Sequence, residues 1–77
     1  MYLGQKIKRQ REKLLLSQND LANMVGVTRQ TVYYWESGRR KPSLTKSRML
    51  ASILKMGYGE FTRKDKHGNY KRIRDIE

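Results

Sequence analysis

The 77-residue chain has no cysteine, so neither disulfides nor thiolate metal ligands can brace it, and the redox compartment stays open. Its one histidine, His67, has no second histidine and no carboxylate cluster beside it, which argues against a metal centre or a general base. No apolar run approaches the roughly 18 residues of a membrane span. Residues 1–6 lack the hydrophobic region of a secretory signal, so a soluble cytoplasmic protein with no membrane partner is expected. A phosphate-cradling glycine loop and a nucleophile–base pairing are missing too, so no enzyme, no cofactor and no small-molecule substrate are expected. Acids are scarce: seven against eighteen lysines and arginines, for a net charge of +11. Residues 1–57 hold twelve of the bases and three of the acids, +9, while residues 58–77 hold six and four, +2. Such an excess favours a polyanionic partner, through attraction to phosphates and release of their condensed counterions. The chain is one small domain that buries only roughly 60% of its unfolded surface, so its stability is marginal and dimerisation would help.

What the chain does contain is concentrated in residues 17–42. Ser17 can cap a helix over residues 18–25, and Asp20 can return the bond as a capping box. Gly26 tolerates the left-handed backbone needed to leave that helix abruptly, and Thr28 can cap a second one over about residues 29–37. Leu21, Val25, Val27, Val32 and Trp35 turn one face of each helix to a shared core, with Ala22 small enough for a close crossing. Arg29, Gln30, Tyr33 and Tyr34 then face outward, as long hydrogen-bonding side chains. This pattern is a helix-turn-helix, with its second helix available to a DNA major groove. Trp35 as a stacking platform for single-stranded bases is the rival use of that residue; its helical phase with Val32 puts it in the core instead.

The flanks fit around that unit. A first helix over residues 3 to about 15 carries Leu3, Ile7 and Leu14 on one stripe, and at least one of Leu14, Leu15 and Leu16 should seal the core. Arg11 falls on the same stripe, where an unpaired charge is expensive, so it requires a carboxylate. Gly38 ends the second helix of the central unit, and Arg39, Arg40, Lys41 and Pro42 form an ordered turn with three cations. Ser43 can cap a further helix, roughly residues 44–55, with Leu44, Leu50, Ile53 and Leu54 inward and Ala51 at a close contact. Gly57 and Gly59 suggest a domain edge, dividing residues 1–57 from a basic tail, 58–77. In that tail, residues 65–68 suit a type I turn with glycine following, between Phe61 and Tyr70–Ile73. A β-hairpin placing Phe61 near Ile73 and Lys64 near Tyr70 is the preferred reading; a short helix from Tyr70 and a disordered basic tail are the others. The expected fold is mainly α: four helices followed by a small C-terminal β-hairpin.

Gln18, Leu21, Ala22, Val25 to Thr28, Val32, Trp35, Glu36 and the loop from Gly38 to Pro42 resemble the Cro and phage-repressor (Xre-like) class of helix-turn-helix DNA-binding domains, with its lambda-repressor-like fold. The resemblance spans roughly residues 3–55. It implies that Arg11 pairs with Glu36, which supplies the carboxylate Arg11 requires. It implies base-edge contacts from Arg29, Gln30, Tyr33 and Tyr34. Gln18, Thr28, Arg39, Arg40, Lys41 and Ser43 match positions that contact phosphates. The tyrosine pair is bulkier than the usual residues there, and the tail replaces a fifth helix that many members use to dimerise.

The chemistry agrees with those roles. Arginine can bond both major-groove acceptors of guanine, and glutamine can bond adenine in two places. Arg29 as a phosphate contact and Gln18 as a mere helix-start residue are the plainer alternatives. Tyr34 packing along its own helix is as good as a base contact, and Tyr33 favours a phosphate. The expected function is a sequence-specific transcriptional regulator that binds double-stranded DNA as a homodimer, with Phe61, Tyr70 and Ile73 at the dimer contact. A protein-binding modulator that keeps the helix-turn-helix shape is the alternative, though an apolar patch would then be expected on the Arg29–Tyr34 face. General binding of RNA or single strands is the third reading.

Overall fold

The structure is a computed structural model that describes residues 2–64 and 70–72. Four helices, α1 (Leu3–Lys13), α2 (Gln18–Val25), α3 (Arg29–Ser37) and α4 (Leu44–Ile53), surround one core, and a 3-10 turn follows at Tyr58–Phe61. Two short strands, β1 (Thr62–Lys64) and β2 (Tyr70–Arg72), pair antiparallel with Lys64 opposite Tyr70. The turn expected at residues 65–68, and Ile73, lie outside the described residues.

Local chemistry sets the ends of α2 and α3. The Ser17 hydroxyl accepts from the Asp20 amide at 2.9 Å, and the Asp20 carboxylate accepts from the Ser17 amide at 2.9 Å, so both bonds of the capping box are made. Hydrogen bonding from Ser17 holds the Asp20 carboxyl below its ordinary pKa, its backbone amide contributing most and its hydroxyl next. Gly26, at φ 82°, ends α2, and Gly38, at φ 83°, ends α3. Both backbones are left-handed, where a β-carbon would clash with the following carbonyl. Thr28 and Ser43 cap α3 and α4 through the amides of Thr31 and Lys46.

α1 and α4 each stop two residues before the expected end. Each closes through a non-glycine residue in the left-handed region, Leu15 at φ 59° and Lys55 at φ 56°. The chain then folds back, with the Leu16 amide on the Arg11 carbonyl at 3.1 Å and the Met56 amide on the Ala51 carbonyl at 2.9 Å. Leu14 packs on the core as expected of one of the three leucines, whereas Leu15 is 90% exposed.

The core is built from Ile7, Leu21, Val25, Val32, Trp35, Leu50, Leu54 and Phe61, all essentially inaccessible. Phe61 corrects two expectations. At 2% exposure it is spent inside its own domain, so it cannot serve as a dimer contact surface. The core also runs past the edge expected at Gly57. The physical reason is that burying a phenylalanine side chain contributes about 1.5–3 kcal/mol, which the helices obtain without any second copy. Leu44 is only half-buried; Ser47 takes the inner position on α4, its hydroxyl donating to the Pro42 carbonyl at 3.4 Å.

Candidate nucleic-acid interface

The interface is built on α3, and its inner flank decides where the outer flank points. Val32 and Trp35 are buried against the core, and Glu36 sits beside them at 5% exposure. A carboxylate so placed must be compensated. Arg11 of α1 supplies a two-pronged partner, Nε to Oε2 at 2.6 Å and Nη2 to Oε1 at 3.1 Å, while its Nη1 donates to the Leu16 carbonyl at 2.7 Å. The bond to Glu36 raises the Arg11 pKa above its already high ordinary value, against the opposing effect of burial.

Gln18 joins the same cluster. Its Nε2 donates to Glu36 Oε1 at 3.1 Å, so the start of α2 is tied to the end of α3. One carboxylate therefore fixes three helices relative to one another. The remaining Gln18 amide proton and carbonyl are not used by that bond, and Gln18 borders a shallow cleft of about 260 Å³ shared with Gln5, Lys8, Tyr33 and Ser37. Gln5 and Lys8 of α1 were not among the expected site residues; the basic residues of α1 were visible in sequence, but not which of them reaches α3.

Three further residues were missed. The Tyr2 hydroxyl donates to the Glu36 carbonyl at 3.0 Å. Gly4 lets α1 approach the end of α3 so closely that a β-carbon there would collide with the Trp35 carbonyl oxygen and lie 2.6 Å from that of Glu36. A glycine inside an otherwise helical stretch was the available signal for Gly4. Lys46 was missed as well: its Nζ donates to the Val25 carbonyl at 3.4 Å, at the C-terminal end of α2.

On the outer flank, Arg29, Gln30 and Tyr33 are exposed and Tyr34 is half-buried. Gln30, Tyr33 and Tyr34 do not stand separately. Gln30 Nε2 donates to the Tyr34 hydroxyl at 2.7 Å, one helical turn along. The rings of Tyr33 and Tyr34 lie 6.0 Å apart. The Arg39 guanidinium is 5.8 Å from each ring centroid and that of Arg40 is 5.2 Å from Tyr34. Gln30, Tyr33, Tyr34, Arg39 and Arg40 thus form one continuous aromatic and cationic surface on the outer flank of α3. Thr28 is exposed at the other end, its hydroxyl engaged with Thr31. Lys41 and Ser43 are half-buried, and the Ser43 hydroxyl is occupied as a cap.

A helix-turn-helix family model matches residues 7–61 of the chain. The chain belongs to the helix-turn-helix family, Cro/C1 type. Its four-helix arrangement is the lambda-repressor-like helix-turn-helix fold. A helix-turn-helix-type transcriptional regulator from Methanothermobacter thermautotrophicus is 46% identical over 48 residues, covering 62% of this chain and 70% of that protein. Among solved structures, the P22 c2 repressor in complex with a synthetic operator superimposes with a TM-score of 0.73 at 28% identity, covering 75% of this chain and 88% of that one. The restriction-modification controller protein C.AhdI from Aeromonas hydrophila gives 0.67 at 35% identity, covering 74% and 86%. By their names these relatives are a transcriptional regulator, a repressor and a controller protein. Among the described residues, no three histidine, cysteine or acidic side chains come together as a metal site, and no helix is long and apolar enough to cross a membrane.

Proposed function

We propose that this domain regulates transcription by binding duplex DNA with α3 in the major groove. The observation that carries the reading is the division of α3: Val32, Trp35 and Glu36 are consumed by the fold, while Arg29, Gln30, Tyr33 and Tyr34 lie away from the core beside a loop of three cations. Arg29 is the guanine reader and Gln30 the adenine reader, each good pair being worth about 1–3 kcal/mol of discrimination. Tyr33 and Tyr34 complete the groove-facing surface. Gln18, Thr28, Arg39, Arg40, Lys41 and Ser43 hold phosphates and set the register of the helix on the duplex. Support comes from the P22 c2 repressor, whose operator-bound fold matches three quarters of this chain.

A single recognition helix reads only a few base pairs, so useful specificity calls for a homodimer on two half-sites about one helical turn apart. With Phe61 committed to the core, the proposed contact rests on the C-terminal hairpin around Tyr70 and Ile73.

The test is selection of bound duplexes from a randomised pool by the full chain, followed by binding of the selected and a scrambled duplex at two salt concentrations. A specific regulator yields a two-part consensus and keeps a large affinity ratio at both salts. A steep salt dependence without such a ratio would reduce the protein to a general polyanion binder.

A further inference from the structure

Resting on that DNA-binding reading, we infer that Tyr34 acts as a positioning residue, which presents the Gln30 amide to adenine in preference to guanine. An exposed glutamine on a helix can turn its amide in several directions. Here one of its two amide protons is committed to the Tyr34 hydroxyl at 2.7 Å. What remains free on Gln30 is one N–H and the carbonyl oxygen: one donor beside one acceptor. Adenine's major-groove edge offers the complement, an N7 acceptor and an N6 donor, whereas guanine offers two acceptors. With both amide protons available, glutamine could satisfy guanine through donors alone. With one withdrawn, its carbonyl must face guanine O6 or N7 and repel it.

Tyr34 is itself held. Its half-buried ring lies 5.2 Å from the Arg40 guanidinium and 5.8 Å from that of Arg39, with the Tyr33 ring at 6.0 Å. The order of support runs from the loop arginines to the ring, from the ring's hydroxyl to the amide, and from the amide to the base. Tyr34 reads no base itself in this arrangement. It transmits the loop's position to the residue that does.

The experiment uses the duplex selected from the random pool and its variants with adenine exchanged for guanine at each position in turn. The base pair read by Gln30 is the one whose preference Gln30→Ala abolishes. At that pair Tyr34→Phe should lower the adenine-over-guanine affinity ratio by about three- to tenfold, the range of one net hydrogen bond, and leave the ratios at other positions unchanged. In the Gln30→Ala background, Tyr34→Phe should have no further effect on that ratio. Phenylalanine keeps the ring beneath the arginines, and thermal melting of each variant confirms the fold. A wild-type ratio in Tyr34→Phe overturns the inference, as does an equal loss on every duplex, which would mark a phosphate contact. So does a loss undiminished in the Gln30→Ala background, which would mean that Tyr34 touches the base. A wild-type chain that selects no consensus at all would instead remove the DNA-binding reading beneath it.

Discussion

The two flanks of α3 are nine residues of one helix, yet they obey different rules. On the inner flank each side chain answers to a neighbour that leaves no choice: Val32 and Trp35 fill the core, and Glu36 neutralises Arg11 and accepts from Gln18. On the outer flank Arg29, Gln30 and Tyr33 are exposed; Gln30 bonds Tyr34 of the same flank, and Tyr33 lies beside Arg39 of the following loop. Helix formation itself does not distinguish the two. The inner flank stores the stability that aims the helix, and the outer flank can vary its chemistry without endangering the fold. Stability and recognition should therefore separate cleanly by substitution.

The largest expected contrast compares Glu36→Ala with Arg29→Ala. Removing the carboxylate leaves Arg11 buried and unpaired and takes the acceptor from Gln18, a loss of about 3–5 kcal/mol. That approaches the whole stability of a marginal small domain, so urea titration followed by circular dichroism should find Glu36→Ala largely unfolded. Arg29→Ala should stay within about 0.5 kcal/mol of wild type in the same titration, while losing the DNA target. Equal losses for the two would abolish the distinction between flanks. Gly4→Ala probes the inner side again, from α1. Its added β-carbon meets backbone carbonyls of Trp35 and Glu36, which cannot turn aside as a side chain would. A destabilisation of about 1–3 kcal/mol is expected from this overpacking, even though alanine is the better helix former by about 1 kcal/mol. A neutral or stabilising result would mean that α1 can shift away from α3 without penalty.

Legibility follows the same divide between local and distant causes. The limits of α2 and α3 could be read from sequence because their signals are local: Ser17 with Asp20, Gly26, Thr28 and Gly38 each act within a few residues. Arg11 announced its need for a carboxylate by its phase among apolar residues, but that Glu36 answers it came from the family resemblance. The ends of α1 and α4 were overrun because Leu15 and Lys55 take a glycine-like conformation without being glycine. Phe61 was misplaced because Gly57 and Gly59 punctuate the chain just before it, and nothing local reveals that the chain returns to α4. The bond from Gln18 to Glu36 and the stacking of Arg39 and Arg40 on the tyrosines exist only once the helices are packed.

Leu15 belongs to neither flank and offers a smaller, opposite effect. It is 90% exposed at φ 59°, so its side chain contributes little packing while its backbone is strained. Asparagine visits that region readily, and Leu15→Asn should stabilise the domain by about 1 kcal/mol. Thermal melting should show a rise of roughly 4–8 °C in Tm. Since Leu15 touches neither the Glu36 cluster nor the outer face, DNA binding should be unchanged; a loss would assign it a role in recognition.

The smallest effect lies at the capping box that starts α2, where Asp20 is exposed and its charge well screened. Its carboxyl titrates below the ordinary range because the Ser17 amide and hydroxyl bond to it in the folded chain. A lowered folded pKa means that the charged form stabilises the fold at every pH above the unfolded carboxyl's own value, about 3.9. That contribution fades as the pH falls through the folded value, when both states become protonated. Comparing the melting of wild type with Asp20→Asn isolates it, because asparagine keeps an acceptor for the Ser17 amide but never carries the charge. Wild type should melt slightly higher near neutral pH, and the gap should close in acid, as the pH falls below the unfolded carboxyl's value and through the lowered folded one. A gap that widened in acid would reverse the sign and show that the carboxylate opposes the helix start, leaving the Ser17 hydroxyl as its cap.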